Sequence, residues 1–301
     1  MARPRTIVSS PLFTPLPYGL LSSLRTDIRE PDDPHWQSGI TWESICAEGG
    51  TTYDECWAVT GTGSAPAPSE KSPTAAIGRR GALPFTVYSA VDCSAPGFWD
   101  RAQELLDDTF TQSEQWQVEN AVWSGTAGGQ PVVWPRLASN ADNVEATTNV
   151  TLGTAADVVG DGTAIDIVTG LGELEKALAN CYDGVGVIHA PRNLLAPMAN
   201  AHLIQLDSTG TRYRTVGGNM IVFGAGYSGT GPAGQSTDNE TWMYATGAVM
   251  IYRGPVQVMP PASGLNRSNN SLTALAERTY LVGWDCCHLA VNISTGPAGA
   301  A

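Results

Sequence analysis

The sequence predicts a mixed α+β fold. Three observations carry that reading. Alternating polar and apolar residues recur at 84–93 and 279–294, which is the period of a strand. Apolar residues at helical spacing run through 94–123, with a second such stretch at 165–181. Elsewhere 33 glycines and 20 prolines interrupt the chain, so its elements are short and its turns many.

The elements follow in order. Pro11, Pro15, Pro17, Pro31 and Pro34 keep the first 45 residues extended, with room for one short helix around Leu20 to Ile28. Such an arm cannot fold alone and must lie on something else. Residues 51–63 and 84–93 read as two strands. Between them lies SAPAPSEKSPTAAIGRRGAL, so the expectation is a long β-hairpin with a projecting tip. Residues 94–123 form the strongest helix, with Ser94 as cap, Pro96 in the first turn and Gly125 after its end. Trp99, Ala102, Leu106 and Phe110 make its apolar stripe, and Asp100, Glu104, Asp107 and Asp108 its solvated face. The stripe blurs after Thr111.

Residues 125–163 read as loops and short strands. The helix at 165–181 places Leu171, Leu174, Leu178 and Cys181 on one face. VGVIHA (185–190) is a strand, and Pro191 opens a third helix to about His202, with Leu194, Leu195, Met198 and Ala199 inward. MIVFGAGYSG (220–229) and WMYATGAVMIYRG (242–254) are rich in strand. In the closing run Cys287, Leu289, Val291 and Ile293 share one face.

Composition bounds the function. Hydrophobic residues are 42% of the chain, enough for a core, which excludes disorder. Charged residues are only 15%, against about 25% in an ordinary soluble domain. A chain so short of charge covers itself with small polar residues or buries surface against neighbours. Net charge is −13, and of 16 basic residues only Lys71 and Lys176 are lysines, which argues against a basic nucleic-acid face. No apolar run reaches the roughly 18 residues of a membrane span, and MARPRTIVSS is not a signal-peptide core. The expectation is a soluble chain that is not exported. The six cysteines, at 46, 56, 93, 181, 286 and 287, form no CxxC or zinc spacing. They are expected as reduced thiols of a cytosolic chain. Cys286 and Cys287, adjacent in a strand-like run, point to opposite faces and do not pair with each other.

No catalytic constellation emerges. Asp161, His189 and a serine make a triad only on paper, without a G-x-S-x-G elbow. His202 and His288 read as hydrogen-bonded structural residues. FGAGYSGTGP (223–232) follows a strand but opens no helix, so it fails as a dinucleotide loop. The nine tryptophans are spread over every element and read as packing anchors. No catalytic residue, cofactor or metal is expected, and the chain is not expected to be an enzyme.

The order of parts, and several strings within it, resemble the major capsid protein of tailed bacteriophages, the HK97-type fold. The strings, familiar from actinobacterial phages, are VYSAVDCSAPGFWDRAQELL, ENAVWSG, GVGVIHAPRNLLAPMANAHLI, GGNMIVFGAGYSGTGP, WMYATGAVMIYRG and AERTYLVGWDCCHLAVNIS. The resemblance implies an N-arm at 1–45 and an E-loop at 46–93. It implies a P-domain whose first part is 94–163, with a spine helix at 94–123. An A-domain at 164–250 and a return to the P-domain at 251–301 complete it. It further implies a virion protein, assembled in the host cytoplasm into hexamers and pentamers that enclose double-stranded DNA without reading its sequence. Scaffolding protein, portal and decoration protein are the implied partners, and no membrane is involved. The same fold serves encapsulin-like nanocompartments, and a secreted β-rich binding or hydrolytic protein is the alternative outside it. Some relatives weld subunits through an E-loop lysine and a partner asparagine. Lys71 with Asn269 or Asn270 could supply such a pair, but Glu70 beside Lys71 keeps its amine charged and unreactive. The expectation is that Lys71, Arg79 and Arg80 make only electrostatic contacts between subunits.

Overall fold

One antiparallel ribbon runs through both large sheets and bends between them. In this computed structural model, which describes residues 13–44, 46, 78–94, 99–127, 130–131, 133–235, 237–259, 265–266, 268 and 271–296, the ribbon consists of two pairs in series. Glu240–Thr246 pairs with His288–Ser294, and Val249–Arg253 pairs with Ser271–Trp284. Thr246 faces His288 and Val249 faces Trp284. Residues 247–248 on one side thus oppose 285–287 on the other, and the Asp285 N–H donates to the Ala248 carbonyl at 3.0 Å. One extra residue on one strand is a bulge, and a bulge bends the ribbon.

On one side of the bend the ribbon enters a six-stranded sheet. Its long strand, Ser271–Trp284, pairs along one edge with Val249–Arg253, Gln257–Met259 and Leu265–Asn266. Along the other edge residues 271–280 pair with Phe85–Ser94. The short strand Ile28–Arg29 adds to Val249–Arg253 in parallel. On the other side lies a seven-stranded sheet in the order 204–206, 213–215, 220–224, 187–191, 240–246, 288–294, 157–158. This second sheet is buried on both faces. Ile188, Ile221, Phe223, Met243, Ala245, Leu289, Val291 and Ile293 meet Leu171, Leu174 and Leu178 of the helix Ile167–Cys181. Val187, Val222, Trp242, Tyr244 and Ala290 point the other way, into the core beneath the long helix Trp99–Ser124.

The long helix bridges both sheets. Leu106 and Phe110 lie in one core with Phe85, Val87, Ala274 and Ala276 of the first sheet, while Val118, Val122 and Trp123 reach the second. Each buried Val, Leu or Phe side chain among them contributes roughly 1.5–3 kcal/mol. Beyond Thr111, where the sequence stripe blurs, Val118, Ala121, Val122 and Trp123 are nonetheless buried. Asp166 caps Ile167–Cys181 through the N–H groups of Val168 and Thr169, both at 3.0 Å. A smaller sheet joins Ile40–Ser44, Gly78–Ala82, Val150–Gly153 and Asn143–Glu145.

Several expectations hold. The short helix near Leu20 is present at Leu20–Ser23 with a 3₁₀ turn at Arg25–Asp27. The face of Cys287, Leu289, Val291 and Ile293 packs as one, and Leu194 and Met198 point inward. Others are corrected. Phe85–Ser94 finds its partner at Ser271–Tyr280, a pairing invisible to local pattern; the expected partner, 51–63, lies outside the described residues. The stem that brackets 47–77 is Ile40–Ser44 against Gly78–Ala82, so Arg79 and Arg80 sit in a strand and not in the tip. The run 279–294 is two strands, parted at the bend, whereas 242–254 is rich in strand as expected, with its break at Gly247. Ala199 is exposed, because the third helix is only a 3₁₀ turn, Arg192–Leu194, and the six residues Leu195–Asn200.

The cysteine expectation is also overturned. Cys46 bonds Cys286 and Cys181 bonds Cys287, with Cα separations of 5.5 and 5.9 Å. Cys286 and Cys287 occupy the bulge, where Cys286 takes a φ of +51°. They do project in different directions, each to a partner far away in sequence. Both bonds close long loops, so each is expected to stabilise the chain by about 2–4 kcal/mol. Cys286→Ser should therefore move the urea midpoint down by that equivalent under non-reducing conditions, and adding reductant to the wild type should do at least as much. Identical midpoints with and without reductant would contradict the pairing.

Candidate functional site

The segment ENAVW (119–123) carries a carboxylate into an apolar stretch of the long helix. Val118, Ala121, Val122 and Trp123 are buried, and Glu119 among them is 0% exposed. A buried carboxylate needs donors from its surroundings. The Leu20 N–H donates to Oε1 at 2.9 Å and the Gly226 N–H to Oε2 at 2.8 Å. One side chain thus holds two segments about a hundred residues away on either side. Gln115, one turn earlier, accepts from the Ser22 N–H at 3.2 Å and donates to the Leu16 carbonyl at 3.1 Å. The arm is bound further by the Phe223 N–H, which donates to the Tyr18 carbonyl at 2.7 Å, and by Arg192, which donates to the Pro17 carbonyl. Leu20 and Leu24 are buried beneath it.

Two glycines permit this closeness. A Cβ at Gly226 would stand 2.2 Å from the Trp116 carbonyl oxygen, and one at Gly19 would stand 2.3 Å from Glu119 Oε1. Burial pushes the Glu119 carboxyl up to about 7, although its backbone hydrogen bonds and the Arg192 charge pull the other way. Tyr227, next in the loop, is raised by burial and by the Glu119 charge. Its hydroxyl lies 3.0 Å from His189 Nδ1, and His189 Nε2 lies 3.2 Å from Thr246 Oγ1. Burial, with the neighbouring His288, lowers His189 to about 3. His288 itself is lowered to about 4 by burial, its ring bonded to the Leu137 and Thr154 carbonyls. Both rings are neutral structural groups at neutral pH.

A second polar cluster sits at the bend. Asp285 Oδ1 accepts from Ser44 Oγ at 2.6 Å and from Trp42 Nε1 at 3.3 Å. Arg80 faces the same carboxylate; burial lowers its pKa and the Asp285 charge opposes that. Among the described residues no group of three or more His, Cys, Asp and Glu is placed to hold a metal ion. Among them, too, no helix is long and apolar enough to cross a membrane. Both polar clusters are junctions between segments far apart in the chain.

No family model and no curated protein sequence matches the chain. Solved structures do. The chain is similar to the capsid of an empty GTA particle computed with C5 symmetry, at TM-score 0.52 and 13% identity, over 98% of this chain and 96% of that one. It is similar also to structures from Mycobacterium phage Ogopogo and Mycobacterium phage Bobi, each at TM-score 0.51 and 12% identity. Those matches cover 97% and 98% of this chain respectively, and 96% of each phage chain. The fold is that of a capsid subunit.

Within this capsid fold the residues singled out by sequence fall as follows. Arg79 is exposed on the Gly78–Ala82 strand and Arg80 is half-buried beside Asp285. Lys71, Asn269 and Asn270 lie outside the described residues. The paper triad is not assembled: Asp161 accepts from Thr163 in an exposed turn, while His189 is turned to Tyr227 and Thr246. His202 is exposed at a φ of +56° after the third helix, and only His288 behaves as the structural histidine expected. Trp36, Trp123, Trp242 and Trp284 are buried anchors, whereas Trp116 is 46% exposed.

Sequence reasoning missed Glu119 and Gly226. The signal was a lone carboxylate in an otherwise apolar helical face, and a glycine in FGAG with no nucleotide to explain it. Glu119→Ala strands two buried N–H groups, each at a cost of about 1–3 kcal/mol, and so should destabilise the chain by about 2–6 kcal/mol in urea unfolding. A loss below about 0.5 kcal/mol would contradict the junction's role.

Proposed function

We propose that the chain is the structural subunit of an icosahedral phage head, assembling as hexamers and pentamers around double-stranded DNA. The observation that carries this reading is the likeness over 98% of the chain to the capsid of a GTA particle. Catalysis has no part in it. The charged fraction of 15% and net charge of −13 support it independently. A subunit in a shell hides much of its surface from water, and an acidic wall does not grip the nucleic acid it contains.

In this reading residues 1–45 are the N-arm and 46–93 the E-loop, with the stem Ile40–Ser44 and Gly78–Ala82 at its base. Residues 94–163 and 251–301 make the P-domain, with the helix Trp99–Ser124 as spine across the Ser271–Trp284 sheet. Residues 164–250 are the A-domain. Lys71 and Arg79 contact an acidic neighbouring subunit, a surface pair contributing roughly 0–1 kcal/mol, so that many copies are needed to matter; Arg80, also expected there, is half-buried against Asp285 of its own chain. Scaffolding, portal and decoration proteins are the partners such a head uses.

Negative-stain microscopy of the purified full chain, with and without a scaffolding protein, tests this. Closed shells or rings of five and six are expected. A chain that stays monomeric at every salt and concentration would contradict it. Boiled in detergent, the particles should run as a single band near the monomer mass; a ladder abolished by Lys71→Ala would show a covalent weld in place of electrostatic contact.

A further inference from the structure

We propose that Arg136 is a receptor for a carboxylate of a second copy of this chain. The meeting of copies rests on the capsid reading; the receptor rests on this chain's own geometry. Arg136 is half-buried in the segment that follows the long helix. Its Nε is buried with no hydrogen-bond partner, and its two Nη groups, which are not buried, have none among the described residues. Every other half-buried arginine among those residues has a partner. Arg80, Arg212, Arg253 and Arg278 face Asp285, Asp27, Glu30 and Glu114. Arg192 and Arg214 donate to the Pro17 and Gly218 carbonyls. Arg136 is the exception.

The guanidinium is held in place. The N–H groups of Leu137 and Ala138 donate to the Val122 and Trp123 carbonyls at 2.9 and 2.8 Å. The Val133 N–H donates to the Gly125 carbonyl at 3.1 Å, so the backbone on both sides of Arg136 is pinned to the end of the long helix. Arg136 Cζ lies 4.6 Å from the centroid of the Trp134 ring, a cation–π contact. Gly125 leaves room for the stem, since a Cβ there would strike Arg136 Cδ. Trp134 in turn packs on Gly153 of the small sheet, and its carbonyl accepts from the Leu83 N–H at 2.9 Å.

A planar fork held still with its donors unused is a cost to the lone subunit, and an arriving acceptor removes that cost. A carboxylate fits best, because its two oxygens meet two parallel N–H groups of a guanidinium. The chain carries 29 acidic side chains against 16 basic ones, so carboxylates outnumber their possible partners and a second copy can supply one. A nucleic-acid phosphate is the poorer fit. One arginine in a chain of net charge −13 does not draw in a polyanion.

Phenylglyoxal, which modifies free guanidinium groups, tests this on the full wild-type chain, with mass spectrometry reading Arg136. In the dilute, unassembled chain Arg136 should react, and in assembled shells its rate should fall about tenfold. Arg136→Met keeps a stem over Trp134 and removes the unpaired donors. It should raise the concentration needed for assembly about tenfold without lowering the urea midpoint of the dilute chain. Arg136→Lys, a charge without the planar fork, should fall between the two. Shells in which Arg136 reacts as fast as in the dilute chain would overturn the proposal and leave the capsid reading standing. A chain that never assembles would overturn both. Protection of the dilute chain by duplex DNA would assign the site to phosphate, and a lowered midpoint for Arg136→Met with unchanged assembly would make Arg136 a structural residue; either result overturns the proposal.

Discussion

The bend in the shared ribbon is the constraint on which the rest of the structure depends. Glu240–Arg253 and Ser271–Ser294 run side by side through both large sheets, and the interruption between them is the bulge at 285–287 opposite 247–248. An unbent ribbon would make one large sheet with two exposed faces. The bulge turns it, so each half is covered separately. A Cβ at Gly247 would lie 2.3 Å from the Asp285 carbonyl oxygen, so the strands cross here at backbone contact. Asp285, Ser44 and Trp42 fill the polar side of the crossing, and two disulfides fasten it to Cys46 and Cys181. The stem at 40–44 and the end of the helix Ile167–Cys181 are both tied to one point.

The long helix works against the same bend from the other side. Its two halves pack on different sheets, so any change in the angle between them must shear Leu106 and Phe110 relative to Val122 and Trp123. Arg278 and Tyr280 of the first sheet reach Glu114 at 2.6 Å each, and Gly226 of the loop that follows the second sheet's 220–224 strand reaches Glu119. Two carboxylates five residues apart on one helix thus take hold of two sheets. Buried charges of this kind add little to net stability, but breaking one leaves unpaired partners in the core. They set which segments meet, and the arm is one of those segments.

Local elements were largely legible in the sequence, and long-range pairings were not. The helix at 165–181 declared itself because its Leu171, Leu174, Leu178 stripe is local, and the structure begins that helix at Ile167 behind a capping Asp166. The single-face set of the closing strand was legible because alternation is local. By contrast, the pairing of Phe85–Ser94 with Ser271–Tyr280 depends on residues far apart in the chain, where no periodicity can point. The split of 279–294 into two strands was hidden because the bulge, Asp285-Cys286-Cys287, holds no glycine or proline to mark a break. The cysteines misled for a related reason. Their pairing is set by the crossing of two strands, and the chemistry of the compartment was the only guide that sequence offered. Glu119 was hidden in the same way, since its two donors come from segments that only the fold brings to the helix. The capsid-like fold was legible through the resemblance to phage capsid proteins, because a fold depends on the succession of elements and not on any one contact.

If the bent ribbon is the common scaffold, its two halves must open together. Native-state hydrogen exchange across 240–253 and 274–293 tests that most directly. The account predicts that amides on both sides of the bulge are the slowest in the chain and exchange at one common rate, through global unfolding. Two well-separated rates, one for 249–253 with 274–284 and another for 240–246 with 288–293, would show two independent sheets joined by a hinge, and would contradict it.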